Sequence, residues 1–220
     1  QAQAFAQEIQ KAINDLEVSG YGFSGFLFCP TFANEGLPDL PKDFMKPAEK
    51  VVHAAGGVLI SDEVQPGFGR TGDSWWGYEW LGLSPDVVTL GKPMANGHPV
   101  AAVVARASVM SEFRNAFGYF NTFGGNPVSC AAASATLDVI EEDGLIANSK
   151  IVGHGFLERL QAIKHGSIAS VRGRGLFIAL ELETDGIADE VLAAKIVEYA
   201  RNNGMLMGRT GRNRNILKLR

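Results

Sequence analysis

Scarcity narrows the function of this chain before any motif does. Only two cysteines, Cys29 and Cys130, occur in 220 residues, in apolar or small-residue surroundings and without the paired spacing of a zinc or redox motif. Both are expected as buried free thiols, in a reducing, cytoplasmic setting. The four histidines, His53, His98, His154 and His165, stand at metal-ligand spacing neither from one another nor from a carboxylate cluster, so no metal site is expected. No Ser/His/Asp pattern is visible either. A net charge of −4 leaves no broad basic footprint for nucleic acid, and none is expected as a partner. Apolar runs such as PVAAVVA (99–105) have strand length, far short of the roughly 20 residues a membrane helix needs. No membrane partner is expected.

What is present has an ordinary globular balance, 46% hydrophobic and 20% charged. Residues 1–16 place Phe5, Ile9, Ile13 and Leu16 at roughly helical spacing, and GFLFCP (25–30) follows as a short apolar strand. A second cycle gives a helix around 43–55 and the strand GVLISDE (57–63). A third strand, PDVVTLG (85–91), comes after an irregular stretch with Trp75, Trp76, Tyr78 and Trp80. This alternation predicts an α/β fold with a mainly parallel sheet covered on both faces and ligands at the carboxyl ends of its strands. The strand at 99–105 follows too soon for a parallel crossover, so it turns back antiparallel. Helices are expected at 127–141 and 145–163, then a strand over 167–183, an amphipathic helix over 189–204, and strands at GMLM and NILKLR. The second pattern predicts a small α+β domain. The division is 1–144 for a large domain and 145–220 for a truncated small one. The opening on Gln1 and the interrupted apolar alternation at the other end read as a segment of a longer polypeptide.

The chemistry concentrates in GGVLISDEVQPGFGRTG (56–72) and DVVTLGKPMANGHPVAAVV (86–104). The antiparallel return puts Lys92 on a tight connection at the same sheet end as Asp62. An amine and a carboxylate so placed suit pyridoxal phosphate: Lys92 would form an imine with its aldehyde, and Asp62 would keep the pyridine nitrogen protonated so that the ring absorbs electrons. The plainer readings are a surface lysine in a hairpin turn, and acidic residues that cap or solvate a loop. The glycine-punctuated loop after DEVQ, with Gly67, Gly69, Gly72 and Arg70, fits backbone passing close to a ligand or partner. Gly124 and Gly125, with Thr122, could cradle a phosphate, but on their own they read better as a turn into the following helix. The Trp run reads better as packing on the core or at an oligomer interface than as a substrate platform.

The four motifs LISDEVQPGFGRTG, PDVVTLGKPMANGHPVAAVV, FNTFGGNP and VRGRGLFIALEL, in that order and spacing, resemble the class III pyridoxal-phosphate-dependent aminotransferases of fold type I. The resemblance covers practically the whole chain. It implies Lys92 as the Schiff-base lysine, Asp62 as the partner of the pyridine nitrogen, Val64 as the residue packed on the ring face, and Gln65 as a hydrogen-bond partner of the ring hydroxyl. It implies Thr122 as a phosphate ligand supplied to the neighbouring subunit, hence a homodimer with shared active sites. Pro66 stands where many members have Thr. The family's glycine- and serine-rich phosphate loop and stacking aromatic are missing, so the chain resembles a fragment without the amino-terminal part. GKPMANGHPVAAVV, YFNTFGG and the terminal RNILKLR are most similar to the branch holding alanine–glyoxylate aminotransferase-like proteins and the phospholyases of phosphoethanolamine. The implied reaction is amino transfer from an amino acid or amine to a 2-oxo acid, the family's commonest chemistry. Phosphate-eliminating lyase chemistry on a phosphorylated amine is the alternative, since both need the same lysine. Lys218 is implied as an anion contact, where relatives acting on amino acids often carry Arg. A catalytically incomplete fragment, serving only as an interaction domain, is the reading from outside enzymology.

Overall fold

A computed structural model describes residues 1–220. The chain divides into two compact units, one of residues 1–30, 40–68 and 76–141, the other of 31–39, 69–75 and 142–220.

The first unit begins with helix α1 (Ala2–Val18), which buries Ala6, Ile9 and Ile13 because these residues recur on one helical face. Strand β1 (Gly25–Phe28) follows, then α2 (Lys46–Ala54), started by Pro47 in its first turn and burying Ala48 and Val52. Phe5 and Phe44 meet with ring centroids 5.5 Å apart, which seats α1 beside the entry to α2. Strand β2 (Val58–Asp62), the short helix α3 (Gly77–Trp80), strand β3 (Val87–Leu90), strand β4 (Ala102–Ala105), α4 (Ala107–Ala116) and α5 (Pro127–Glu142) complete the unit. The sheet runs β1-β2-β3-β4, parallel across the first three strands and antiparallel between β3 and β4.

Asp86 latches these pieces together. It accepts hydrogen bonds from the Leu59 N–H (2.8 Å) and His53 Nε2 (2.8 Å) and pairs with Arg106 (3.1 Å), so one carboxylate joins α2, β2 and the residue before α4. Burial pushes this carboxyl up, but the Leu59 amide, His53 and Arg106 together outweigh it and hold Asp86 below the usual carboxylate range.

Coverage of the sheet departs from expectation. Leu27, Val103 and Val104 remain 57%, 65% and 57% exposed, so the faces are not both covered. Helix α4 has no buried residue. Cys130 is exposed, contrary to the expected burial, because α5 turns Ser129, Ala133 and Ile140 inward instead.

The second unit holds α6 (Leu145–Ala162), β5 (Ile168–Arg174), β6 (Phe177–Thr184), the two-residue β7 (Ile187–Ala188), α7 (Glu190–Asn202), β8 (Gly208–Thr210) and β9 (Ile216–Leu219). The single strand expected over 167–183 is a hairpin, because Gly175, at φ 53°, reverses the chain between Arg174 and Phe177. The strand expected at GMLM lies instead at 208–210. Antiparallel order is β5-β6-β9-β8. Leu180, Leu182, Ala193 and Leu217 form its core, with Leu160, Val171, Ile196 and Val197 packed around them. Asp189 caps α7 by accepting from the Leu192 N–H (2.8 Å). Buried Asn215 donates to the Leu182 carbonyl (2.8 Å), which satisfies its amide inside the sheet. No helix of the chain is long and apolar enough to cross a membrane.

Gly153 sets how closely α6 approaches the hairpin. A Cβ there would stand 2.1 Å from the Gly175 carbonyl oxygen, backbone that cannot swing aside. Gly153→Ala is therefore expected to destabilise the protein by about 1–3 kcal/mol, seen as a lower thermal midpoint; an unchanged midpoint would refute this close approach.

Candidate functional site

A parallel pair of strands ends at one edge of the sheet, and in this chain both functional candidates sit there. Asp62 is the last residue of β2 and pairs with Thr89 of β3. Three positions after Thr89 comes Lys92, exposed, in a 3₁₀ turn over Lys92–Ala95. Lys92 has φ 36° and Asn96 φ 45°, both in the left-handed region, so the turn is tight and held against local preference.

Asp62 Oδ1 accepts from the Val64 N–H (3.0 Å) and, more weakly, from the Thr89 hydroxyl (3.4 Å), which fixes the carboxylate against its strand. Val64 packs beside the lysine turn: its Cγ2 lies 3.6 Å from the point where a Cβ on Gly91 would stand. Gln65 is half-buried next to it. Thr89 also lines a cavity of about 940 Å³ with Val87, Val103, Phe113, Tyr119 and Gly125, on the sheet face that Asp62 shares. Thr122 is exposed and makes no hydrogen bond to Asp62 or Lys92. Its segment forms a turn in which Asn121 Oδ1 accepts the Phe123 N–H (3.2 Å) and the Gly124 N–H (3.0 Å). The fold thus gathers Asp62, Val64, Gln65 and Lys92 at one strand edge and leaves Thr122 on a separate, exposed segment.

Two features escaped sequence reasoning. Glu63, read there only as a strand-end acid, is fully buried. Successive residues of a strand point to opposite faces, so Glu63 turns inward where Asp62 turns out. It accepts from the Ser61 hydroxyl (2.9 Å), the Gly77 N–H (2.8 Å) and the Tyr78 N–H (3.0 Å), tying the start of α3 to the end of β2. Gly67 and Trp76 lie against the same loop, and Trp76 meets Phe68 edge to face at 5.0 Å, a packing role for that member of the Trp run. The second feature is a contact between His98 and Ser129, at 2.9 Å. A strand-end Asp-Glu pair signals the first; nothing in the sequence pairs residues of two separate segments.

The edge carries an exposed primary amine, an oriented carboxylate and an apolar flank. The chain holds no cluster of three or more His, Cys, Asp or Glu. Comparison with known proteins gives the family. The family model for class-III aminotransferases matches residues 1–220, and the chain belongs to that family. A Drosophila melanogaster protein named alanine–glyoxylate aminotransferase 2-like is 38% identical over 98% of this chain and 45% of its own length. The ethanolamine-phosphate phospho-lyase homolog 1 of Caenorhabditis elegans is 35% identical over 98% of this chain and 48% of its own length. Among solved structures, an Arthrobacter phospholyase in complex with phosphoethanolamine superposes with a TM-score of 0.95 at 42% identity, covering 100% of this chain and 53% of that one. The chain spans about half the length of the curated relatives it matches.

Burial pushes the Glu63 carboxyl above the usual carboxylate range, beyond what the Gly77, Tyr78 and Ser61 hydrogen bonds restore, and Glu79 adds repulsion. The folded state then binds this proton more tightly than the unfolded state, so the Glu63 contribution to stability falls as pH rises from the ordinary carboxylate range through the raised value. Unfolding free energies measured across that window should show the native protein losing stability relative to Glu63→Gln as pH increases. A constant difference would contradict the assignment.

Proposed function

We propose that the protein to which this chain belongs is a pyridoxal 5′-phosphate-dependent aminotransferase, moving an amino group from an amino acid or amine to a 2-oxo acid, and working as a cytoplasmic homodimer. The observation that carries the reading is the arrangement of Lys92, Asp62 and Val64 at neighbouring ends of parallel strands. Residues 1–144 would be the carboxyl-terminal part of the large cofactor-binding domain and 145–220 a truncated small domain. The exposed Phe117, Tyr119, Phe120 and Phe123 beside Thr122, 65–86% accessible, support a partner copy over that segment.

The residues fit the cofactor. Lys92 Nζ would bond to its aldehyde carbon, Asp62 would hold the proton of its ring nitrogen, Val64 would flank the ring, and Gln65 would bond its hydroxyl. Thr122 would serve the phosphate of the partner's site. When bound, pyridoxal phosphate supplies an electron sink for the substrate carbon. Lys92 Nζ, once released from its own bond, would accept the proton from that carbon and hand it to the cofactor carbon. Asp62, oriented by the Val64 amide and the Thr89 hydroxyl, would keep the ring nitrogen charged.

A second reading has a specific observation behind it, the likeness to the Arthrobacter phospholyase over the whole chain. There the same proton removal by Lys92 would be followed by loss of phosphate from the neighbouring carbon of a phosphorylated amine. Half-reactions with alanine, 4-aminobutyrate and phosphoethanolamine separate the two: pyridoxamine phosphate formation supports transfer, and release of inorganic phosphate supports the lyase.

Incubation of the full-length protein with pyridoxal phosphate, borohydride reduction and peptide mass mapping should find the adduct on Lys92. Lys92→Ala should abolish the adduct and lower turnover by about 10²–10⁴-fold. A folded, full-length protein with Lys92 unmodified would overturn the proposal.

A further inference from the structure

The turn that begins at Lys92 does not end in solvent. Its amides close successive bonds, Met94 N–H to Gly91 O (3.0 Å), Asn96 N–H to Pro93 O (3.1 Å) and His98 N–H to Ala95 O (3.0 Å), so His98 moves as part of the same unit. His98 Nε2 lies 2.9 Å from Ser129 Oγ, in the first turn of α5. Ser129 is buried at 6% exposure, and its Oγ also accepts from Asn126 Nδ2 (2.9 Å), while the Ser129 N–H donates to Asn126 Oδ1 (3.0 Å). Asn126 Nδ2 in turn reaches the Phe123 carbonyl (3.0 Å), next to Thr122. One unbroken run of hydrogen bonds therefore leads from the turn of Lys92 to the segment of Thr122.

Capping of α5 by itself needs only Asn126. A hydroxyl three residues into a helix ordinarily faces water; this one is buried and joins two segments distant in the chain. Its single proton and two lone pairs suffice for both His98 and Asn126. The turn it restrains holds two non-glycine residues at left-handed φ, a conformation that persists only where its surroundings impose it.

We propose that His98 is a positioning residue that, through Ser129 and Asn126, couples the placement of Lys92 to that of the Thr122 segment. The proposal rests on the reading that Lys92 holds the aldehyde end of one cofactor and Thr122 the phosphate end of the cofactor in the partner's site. Contacts that depend on one rigid unit reward each other: ordering one end leaves less to order at the other. In the proposed homodimer, with Thr122 serving the partner's site, the same bridge joins the two sites.

Pyridoxal and inorganic phosphate, offered separately to the cofactor-free full-length protein, test this. Pyridoxal reports on Lys92 without a phosphate of its own. In the wild type, phosphate should tighten pyridoxal binding by a factor of about 5–10, and pyridoxal fixed on Lys92 by borohydride should slow amide exchange over 121–126. His98→Ala and Ser129→Ala should each reduce the phosphate effect to less than about twofold while still forming the Lys92 adduct, and His98→Gln, which keeps a hydrogen-bonding group, should restore most of it. A double-mutant cycle should give non-additive effects of the two alanine substitutions on the coupling. Full coupling in both alanine variants, or none in the wild type despite an adduct on Lys92, would overturn the inference. Absence of any adduct in folded wild type would strike instead at the cofactor reading.

Discussion

The parallel pairing of β2 with β3 is the constraint on which everything at the candidate site depends. Parallel neighbours finish at the same sheet edge, so the pairing of Asp62 with Thr89 leaves the residues just beyond both strands side by side. A slip of one residue would turn Asp62 to the opposite face and exchange it with Glu63. That exchange would bury Asp62 where three donors await a longer side chain. The two acids are consecutive and chemically alike, yet pleat direction alone leaves one partly open at the strand edge and makes the other an internal tie.

Glu63 shows how such a register is enforced. A carboxylate taken out of water costs several kcal/mol unless hydrogen bonds replace its solvation. Here a hydroxyl and two backbone amides do so only in part, and the amides belong to the start of α3. Breaking the tie would strand both the acid and the amides, so the end of β2 is held by the penalty for separation more than by any large net attraction. Asp86 plays the corresponding part at the opposite, amino end of the strands, joining α2, β2 and the approach to α4. The strands that carry Asp62 and lead to Lys92 are thus tied by a carboxylate near each end.

Much of this was legible in the sequence. Strand-length apolar runs separated by helical spacing located β1, β2 and β3, and the short return from GKPMANGH sufficed to predict the antiparallel β4. The shared strand edge of Asp62 and Lys92 followed from the same reading. The rest failed for identifiable reasons. Helix α4 carries an apolar spacing, Val109, Met110 and Phe113, that the sequence reading passed over, and none of these residues is fully buried. The hairpin of β5 and β6 looked like one strand because its reversal at Gly175 occurs within an alternating pattern. The second unit takes in 31–39 and 69–75, segments that only tertiary packing can assign. The bridge from His98 to Ser129 was invisible because its members lie in different segments and carry no local signal.

Lys92 occupies a backbone conformation suited to glycine or asparagine. A lysine there costs the fold on the order of 1 kcal/mol, with no compensating contact from its exposed side chain. Sequence optimisation guided by backbone compatibility alone would replace it early and gain thermal robustness by deleting the amine on which the proposed chemistry depends. The residue least justified by folding is then the one most informative about use, and a consensus or stability-driven redesign of this scaffold should hold position 92 fixed.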